Sequence, residues 1–296
     1  MSSARLIDGK AISAQIHSET KARTMALREK RGIIPGITFV RVGEDPASQA
    51  YVRMKGAQAT ELGIESNTVV LKESTSQAEL LELIEGLNRD PKVHGILVQA
   101  PLPKHLKEDE IFSAIDYRKD VDGFHPVNVG KLLLGQNPLF KPCTPAGVHE
   151  LLIRTGVSLS GAEVVVLGRG NIVGKPMAAI LMQKDKHADA TVTVLHSRSR
   201  NIAEHCRRAD ILIAAMGQAK FVKGDMVKPG AVVIDVGVNR VNDPTAKNGY
   251  RLVGDIDFEA VCKVAGAVTP NPGGVGPMTI AMLLSNTVRA AEMAAS

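Results

Sequence analysis

The sequence predicts an α/β protein of two domains with parallel sheets. Short segments rich in Val and Ile alternate with helix-like stretches in two successive blocks, as expected when strand, helix and parallel strand follow one another. Hydrophobic residues make up 44% of the 296-residue chain but aromatic residues only 3%, so the core must be aliphatic, which is typical of strands buried on both faces. A Pro- and Gly-rich segment, residues 135–145, has no periodicity and separates the two blocks.

The first block, residues 1–142, contains three predicted strands and two helices. A helix follows the turn at Asp45. A second helix is predicted over residues 76–88, because Leu and Ile residues repeat there at helical spacing after a Ser76 cap. The strands are predicted at residues 37–42, 68–71 and 95–98. This block is the first domain.

The second block, residues 143–277, forms the second domain and ends in a rigid loop that reads AVTPNPGGVGPM. Its strands are predicted at residues 164–167, 191–195, 211–214 and 232–235. A helical stretch runs from Met278 to the end of the chain, and we expect this C-terminal helix, 278–296, to pack back on the first domain.

Composition and charge exclude several classes of protein. The chain carries 36 basic and 31 acidic residues, but the basic ones are scattered, so we expect no nucleic-acid partner and an anionic small molecule instead. No segment resembles a signal peptide or a membrane span. Three distant cysteines form no C-x-x-C pair and the eight histidines show no ligand spacing, which favours reduced, buried thiols, no metal and a cytoplasmic protein.

A glycine-rich turn follows the first strand of the second domain. Gly168, Gly170 and Gly174 lie between that strand and a helix-forming stretch. In such a unit the first glycine permits a tight turn, the second lets backbone N–H groups approach a pyrophosphate, and the third allows close helix packing. The spacing is one residue longer than the commonest fingerprint, so a purely structural turn is the alternative. Its place between strands favours a Rossmann-like dinucleotide-binding domain.

The end of the next strand indicates which dinucleotide is bound. A carboxylate at this position would hold the adenosine ribose of NAD, whereas here Arg198 and Arg200 follow the strand and Arg169 lies in the glycine turn. Guanidinium groups suit the 2′-phosphate of NADP, so we predict NADP as the cofactor. The alternative is a solvated loop whose arginines bind nothing specific.

One face of the helix after Asp45 carries a possible proton-transfer pair. Ser48, Tyr51 and Lys55 stand at i, i+3 and i+7. A lysine held in apolar or cationic surroundings loses proton affinity and can act as an acid or base. The alternative is an exposed helix face that carries a lysine by chance. Short-chain dehydrogenases also contain Tyr-x-x-x-Lys, but there it follows the glycine loop, and here it precedes it.

Two further segments complete the pattern: HGILVQAPLP at residues 94–103 and DVDGFHP at residues 120–126. The first is a buried strand that ends in Gln99, where α/β proteins place ligand contacts. The second places Asp122 in a Gly-containing loop, where it could be only a turn residue. Together with YVRMK, GRGNIVGKP and PNPGGVGPMT, these motifs resemble the bifunctional methylenetetrahydrofolate dehydrogenase and methenyltetrahydrofolate cyclohydrolase family from end to end.

The resemblance implies roles for particular residues. Lys55 is the central catalytic residue, Tyr51 supports it, Gln99 hydrogen-bonds it and Asp122 binds the pterin ring. The candidate contacts with tetrahydrofolate derivatives are Ser48, Tyr51, Lys55, Val98, Gln99, Ala100, Asp122, Pro272, Gly273 and Gly276. The candidate NADP contacts are Thr144, Gly168, Arg169, Gly170, Gly174, Ser197, Arg198 and Val238. The resemblance also implies a homodimer.

The sequence departs from the family pattern in three places. Gly170 stands where the family generally has Ser, Ala100 stands where Leu is usual, and residues 183–190 are longer than usual. Two alternatives remain for the function. A single-activity dehydrogenase of a small amino or hydroxy acid would not need Lys55, Gln99 and Asp122 together. A basic nucleotide-sensing or nucleic-acid-binding module would bind polyanions with steep salt dependence and show no turnover.

Overall fold

The structure is a computed structural model that describes residues 4–246 and 249–295. Its elements follow along the chain as β1 (Arg5–Leu6), α1 (Gly9–Arg31), β2 (Gly36–Val42), α2 (Pro46–Glu61), β3 (Glu65–Leu71), α3 (Gln77–Arg89), β4 (Gly95–Val98), α4 (Glu108–Ala114), α5 (Pro126–Leu133), α6 (Cys143–Arg154), β5 (Glu163–Leu167), α7 (Gly174–Leu181), β6 (Thr191–Leu195), α8 (Ile202–Arg208), β7 (Ile211–Ala214), a short 3₁₀ helix (Gly224–Met226), β8 (Val232–Asp235), β9 (Asn239–Asn242), β10 (Tyr250–Val253), α9 (Phe258–Cys262), β11 (Ala267–Val268) and α10 (Val275–Ala294).

The chain divides into two compact units. One consists of Ala14–Cys143 and Ile280–Ser296, and we call it the three-stranded unit after its sheet. The other consists of Met1–Ser13 and Thr144–Thr279, and we call it the six-stranded unit. Assigning residues 1–13 to the first domain is therefore wrong, because the strand β1 pairs in parallel with β11 of the six-stranded sheet.

The three-stranded unit has parallel strands in the order β3-β2-β4. The central strand β2 is buried along its whole length and sends alternate side chains to two hydrophobic clusters. Ile37 and Phe39 enter one cluster with Leu284 and Val288 of α10. The C-terminal helix thus packs on the first domain as predicted, although it begins at Val275, three residues earlier than expected.

The six-stranded unit has parallel strands in the order β1-β11-β8-β7-β5-β6. The chain leaves β5 to form β6 on one side and then returns to form β7 on the other side, so the strand order reverses at β5. In sheets of this kind ligands bind at the carboxyl ends of the strands next to such a reversal. This is the predicted Rossmann-like arrangement.

All seven predicted strands are present, and β3 extends three residues further toward its amino end than predicted. The structure adds the two-residue strands β1 and β11 and the antiparallel hairpin of β9 and β10. Ser76 caps α3 as predicted: its side chain and that of Glu79 each accept from the other residue's backbone N–H. Along the described ranges, none of the helices combines the length and apolarity needed to cross a membrane.

Candidate active site

The helix α2 presents the candidate lysine toward the interior of the three-stranded unit. Asp45 caps the helix by accepting a hydrogen bond from Ser48 N at 2.7 Å, and Pro46 begins it. Ser48 and Lys55 are buried, at 7% and 9% exposure. Tyr51, which the helical spacing places on the same face, is 47% exposed. The lysine is therefore a buried group, which excludes the alternative of an exposed lysine on a solvated face.

The residue after strand β4 meets this lysine. Gln99 continues the parallel pairing, with its backbone N–H donating to Val40 O at 2.8 Å. Lys55 Nζ donates to Gln99 Oε1 at 3.0 Å, and the other end of the amide donates to Ala100 O at 2.7 Å. The strand end therefore fixes the amide, and the amide oxygen in turn holds the ammonium group. Val98, one residue earlier, is buried in the core.

An acid and a thiol share the surroundings of the lysine. Burial lowers the pKa of Lys55, and the charge of Asp122 opposes that shift. Burial raises the pKa of Asp122, while Lys55 and a hydrogen bond with Cys143 oppose that rise. Burial and the neighbouring Asp122 raise the pKa of the Cys143 thiol well above its usual range. No sequence signal groups Cys143 with these residues, because it lies 21 positions after Asp122 in the Pro-rich segment.

The loop that carries Asp122 is fixed by a second buried acid, Asp120. Its carboxylate accepts from Gly123 N at 3.2 Å, His125 N at 2.7 Å and Asn128 Nδ2 at 3.2 Å. Burial raises the pKa of Asp120 to about 7 in spite of these bonds, which favour the charged form. The motif DVDGFHP is thus more than a turn, since its first acid anchors the backbone that presents Asp122.

The glycine turn of the six-stranded unit has the shape of a phosphate-binding turn. Gly168 has φ +123°, and a Cβ there would lie 2.1 Å from Ala215 O. A Cβ on Gly174 would lie 2.1 Å from Gly168 O. Gly170 is exposed and faces open space, since a Cβ there would meet nothing within 4 Å. The first and third glycines are required by close packing, and the second leaves room for a ligand beside the start of α7.

The cationic corner beyond β6 is solvent-exposed. Arg169, Ser197 and Arg198 are exposed, and so is Arg200. The turn itself is ordered by hydrogen bonds from Arg198 N to the His196 ring at 3.2 Å and from His196 N to Ser199 Oγ at 3.0 Å. No carboxylate among the described residues forms an ion pair with these three arginines. Their charge is therefore available to an anion.

The remaining candidate residues belong to the six-stranded unit: Val238, Pro272 and Gly273 lie in loops, Thr144 in α6 and Gly276 at the start of α10. Val238 follows β8 and is 58% exposed. Gly273, with φ +105°, accepts a hydrogen bond from Lys10 N at 3.1 Å, and Pro272 and Gly276 are exposed on either side of it. Thr144 Oγ1 lies 2.9 Å from Thr279 Oγ1, at the start of α10. Within the described part of the chain, no group of three or more His, Cys, Asp or Glu could hold a metal ion.

Comparison with known families decides the identity of this arrangement. Residues 7–122 match the family described as "Tetrahydrofolate dehydrogenase/cyclohydrolase, catalytic domain", and residues 142–295 match its "NAD(P)-binding domain". The chain belongs to this family. The resemblance inferred from the motifs is thereby confirmed, together with the two-domain α/β fold and the class of bifunctional dehydrogenase and cyclohydrolase.

Similar proteins cover nearly the whole chain. The "Bifunctional protein FolD" of Chlorobium luteolum is 56% identical over 290 residues, which is 98% of each chain. The protein of the same name from Acetivibrio thermocellus is 54% identical and covers 99% of this chain and 98% of its own. Among solved structures, FolD of Campylobacter jejuni is 48% identical with a TM-score of 0.92, covering 98% of this chain and 99% of its own. The Trypanosoma brucei enzyme, complexed with NADP cofactor and inhibitor, is 41% identical with a TM-score of 0.94 and covers 99% of each chain.

The alternative of a single-activity dehydrogenase of a small amino or hydroxy acid is not favoured. Both matched domains carry the dehydrogenase and the cyclohydrolase in their descriptions, and the similar full-length proteins are described as bifunctional.

The expectation of three buried thiols is wrong in part. Cys143 and Cys206 are buried. Cys262 is only partly buried, because it ends the short helix α9.

Proposed function

We propose that this protein oxidises 5,10-methylenetetrahydrofolate to 5,10-methenyltetrahydrofolate with NADP and then hydrolyses the product to 10-formyltetrahydrofolate. One observation carries the proposal: a buried lysine is hydrogen-bonded to Gln99 beside Asp122, in a chain that matches both domains of the family. Lys55, Tyr51, Gln99 and Asp122 are the proposed catalytic residues.

The cyclohydrolase step requires proton transfer, which we assign to Lys55. Its pKa is lowered by burial, so the neutral amine is reached at lower pH than for an exposed lysine, and it can take a proton from the attacking water. Gln99 fixes the position of Nζ through its amide oxygen. Tyr51 lies one helical turn before Lys55 and is 47% exposed, so substrate can reach it. We assign it a supporting role in the proton transfer by Lys55.

Asp122 and its neighbours are proposed to bind the folate. The pterin ring offers an amidine-like N–H edge, which a carboxylate accepts in a paired, charge-assisted manner. We therefore assign Asp122 to this edge and place Ser48, Val98 and Ala100 around the ring. Pro272 and Gly273, in the loop before α10, and Gly276, in the first turn of α10, are proposed as further folate contacts, supported by the family motif that contains them.

The residues of the six-stranded unit fit an NADP cofactor. The glycine turn leaves open space at Gly170, and the unpaired guanidiniums of Arg169 and Arg198 match a 2′-phosphate. The proposed contacts are Thr144, Gly168, Arg169, Gly170, Gly174, Ser197, Arg198 and Val238. When bound, NADP supplies the acceptor for the hydride of the methylene bridge. The contribution of the chain to this step is positioning, since two carbons must be held in contact.

We also propose a homodimer in the cytoplasm with no nucleic-acid partner. The dimer is supported by the resemblance to the family. The cytoplasm is supported by three cysteines that are free thiols, as is usual in a reducing compartment. Light scattering on a size-exclusion column measures the oligomeric state directly, and a salt titration on DNA measures nucleic-acid binding.

A spectrophotometric time course tests the catalytic proposal. The purified protein is mixed with methylenetetrahydrofolate and either NADP or NAD, while reduced nucleotide and the methenyl chromophore are followed together. We expect reduction that favours NADP, with little methenyl compound accumulating. The double change Arg198→Ala and Arg200→Ala should raise the KM for NADP while leaving that for NAD nearly unchanged. Absence of reduction with either cofactor would contradict the folate assignment.

A further inference from the structure

A buried carboxylate that the mechanism does not use, Asp255, lies after β10 in the six-stranded unit and is 1% exposed. Its Oδ2 accepts from the backbone N–H of Met216 at 2.6 Å and of Gly217 at 2.9 Å. Its Oδ1 accepts from Gln218 N at 2.9 Å and from Asn239 Nδ2 at 2.8 Å. Three consecutive backbone donors on one carboxylate fix the path of the loop after β7.

A second buried acid extends this arrangement to the loop after β8. Asp235, the last residue of β8, accepts through Oδ1 from Asp255 N at 2.9 Å and from Gly237 N at 3.1 Å. The carbonyl of Gly237 accepts from Asn271 Nδ2 at 2.6 Å. This network therefore holds the backbone of Gly237 and the side chain of Asn239, on either side of Val238, and reaches the residue before Pro272.

Two glycines make room for the carboxylates. A Cβ on Gly254 would lie 1.5 Å from Asp235 Oδ2, and a Cβ on Gly237 would lie 2.2 Å from Asp255 Oδ1. Neither glycine has a positive φ, so a turn conformation does not explain them. These positions are glycine because a side chain there would prevent the two carboxylates from approaching the backbone.

The strand order places this network on one half of the dinucleotide site. The glycine turn and the cationic corner follow β5 and β6, so they receive the adenosine half of the cofactor. The strands β7 and β8 lie on the other side of the order reversal. A dinucleotide that crosses the reversal brings its second nucleoside over the carboxyl ends of β7 and β8. That nucleoside is the nicotinamide riboside.

We propose that Asp255 is a positioning residue, whose carboxylate holds the loops after β7 and β8 in the conformation that receives the nicotinamide nucleoside. The proposal rests on the proposed use of NADP and names the residue that orders half of its site. Asp255 acts through Met216, Gly217 and Gln218, and through Asp235 on the loop that carries Val238. Hydride transfer depends steeply on such placement, because a misplacement of about 1 Å costs on the order of 10²-fold in rate.

The test is the substitution Asp255→Asn. In the wild type, each oxygen of Asp255 accepts two hydrogen bonds. In the variant, the side-chain NH₂ of the asparagine replaces one of these oxygens and faces two N–H donors, so the loop has to move. We expect the Kd for NADPH, measured by nicotinamide fluorescence, to rise by about tenfold, as for loss of charge-assisted hydrogen bonds. The Kd for 2′,5′-ADP, which carries only the adenosine half, should stay within about twofold, because that half is bound by the turns after β5 and β6, away from Asp255.

Activity measurements separate positioning from loss of fold. Hydrolysis of preformed methenyltetrahydrofolate uses no nicotinamide cofactor and should stay near the wild-type rate in Asp255→Asn, whereas kcat/KM for NADP falls. Asp257→Asn is the matched control, because it removes the same charge two residues away and Asn caps helix α9 as well as Asp does. The control should leave both Kd values unchanged.

The outcomes are distinct. An unchanged NADPH Kd in Asp255→Asn, or equal weakening of NADPH and 2′,5′-ADP, would overturn the positioning role. If Asp255→Asn does not fold, Asn239→Ala removes one donor from the same carboxylate and should weaken NADPH by about two- to fivefold while sparing 2′,5′-ADP. Selective weakening of NADPH without any folate turnover by the wild type would support Asp255 and contradict the proposed function.

Discussion

The proton affinity of Lys55 is set by a few close neighbours. Burial among the aliphatic residues of the three-stranded unit disfavours its charged form, and Asp122 and Cys143 pull in the opposite direction when they are ionised. The Cys143 thiol stays protonated, because its own pKa is raised well above the usual range. Asp122 is therefore the neighbour that decides how much of Lys55 is neutral at a given pH.

Replacing Lys55 by Met should separate the two activities. Methionine has a similar length and no charge, so the pocket stays filled. Asp122 loses its cationic neighbour and is expected to take up a proton, because burial already raises its pKa, and thermal unfolding of the variant checks that it is folded. We expect cyclohydrolase kcat to fall by about 10²- to 10⁴-fold, the usual contribution of a general acid or base. Dehydrogenase kcat should fall less, because hydride transfer needs placement more than proton transfer. Lys92→Met, at an exposed lysine, is the control. Wild-type hydrolysis by Lys55→Met would disprove the proton-transfer role.

The glycine turn allows a test of one departure from the family pattern. A Cβ at Gly170 meets nothing within 4 Å and φ there is not positive, so Gly170→Ser should fold normally. Its hydroxyl adds a donor beside the proposed phosphate, and we expect an NADPH Kd that is unchanged or a few-fold lower. Gly174→Ser is the contrasting variant, because its Cβ would lie 2.1 Å from Gly168 O. If Gly170→Ser folds normally but binds NADPH more weakly, the expectation is wrong, and the cofactor itself occupies the space beside Gly170.

At the scale of elements, helix α3 offers a stability test remote from the site. Ser76 and Glu79 satisfy each other's backbone donors at its first turn, and Leu80 and Ile84 anchor it in the core. Ser76→Ala should lower the free energy of unfolding by about 1 kcal/mol, the usual cost of losing a serine cap. Urea unfolding measures this loss, and both activities should be unchanged. Ser74→Ala, in the exposed turn just before, should have no effect; equal stability of the two variants would contradict the capping role.

Strands with several residues in a row are predictable from the sequence, and very short ones are not. β2 and β5 are runs of β-branched residues in a buried sheet, so composition alone marks them. β1 and β11 have only two residues each and exist because neighbouring strands pair with them. Helix α1 escapes prediction even though Ile12, Ile16 and Leu27 are buried on it. Its many charged residues obscure that apolar stripe.

The candidate site shows the same division. Lys55 and Gln99 are predictable as a pair because one follows a recognisable helix pattern and the other ends a buried strand, and motif resemblance joins them. Cys143 is not, since its proximity to Asp122 arises only when α6 begins beside the 120–125 loop. Asp255 carries no signal either, because its partners Met216, Gly217 and Gln218 are distant backbone donors with no sequence pattern.

For the whole molecule, two kinds of acid act in different pH windows. Asp120 and Asp235 have their pKa raised, mainly by burial, to about 7 and about 6. The folded protein therefore holds protons that the unfolded chain has already released above a pH of about 4. Asp116 has its pKa lowered, mainly by Arg118, so its contribution is lost only as pH falls below about 4. Stability should pass through a maximum on the acid side of neutrality.

Thermal unfolding between a pH of about 5 and about 8 tests this balance through Asp120→Asn. In the wild type, the native state binds more protons than the unfolded state across this window, so stability falls as pH rises, by about 2 to 3 kcal/mol from a pH of about 5 to about 8 for a pKa of about 7 against an unfolded value of about 4. Asn resembles the protonated acid and keeps an acceptor for His125 N, so its fall in Tm with pH should be shallower. Asp109→Asn, at an exposed acid, removes the same charge and should keep the wild-type slope. If Asp120→Asn and Asp109→Asn show the same slope, Asp120 is ionised throughout this window and the raised pKa is wrong.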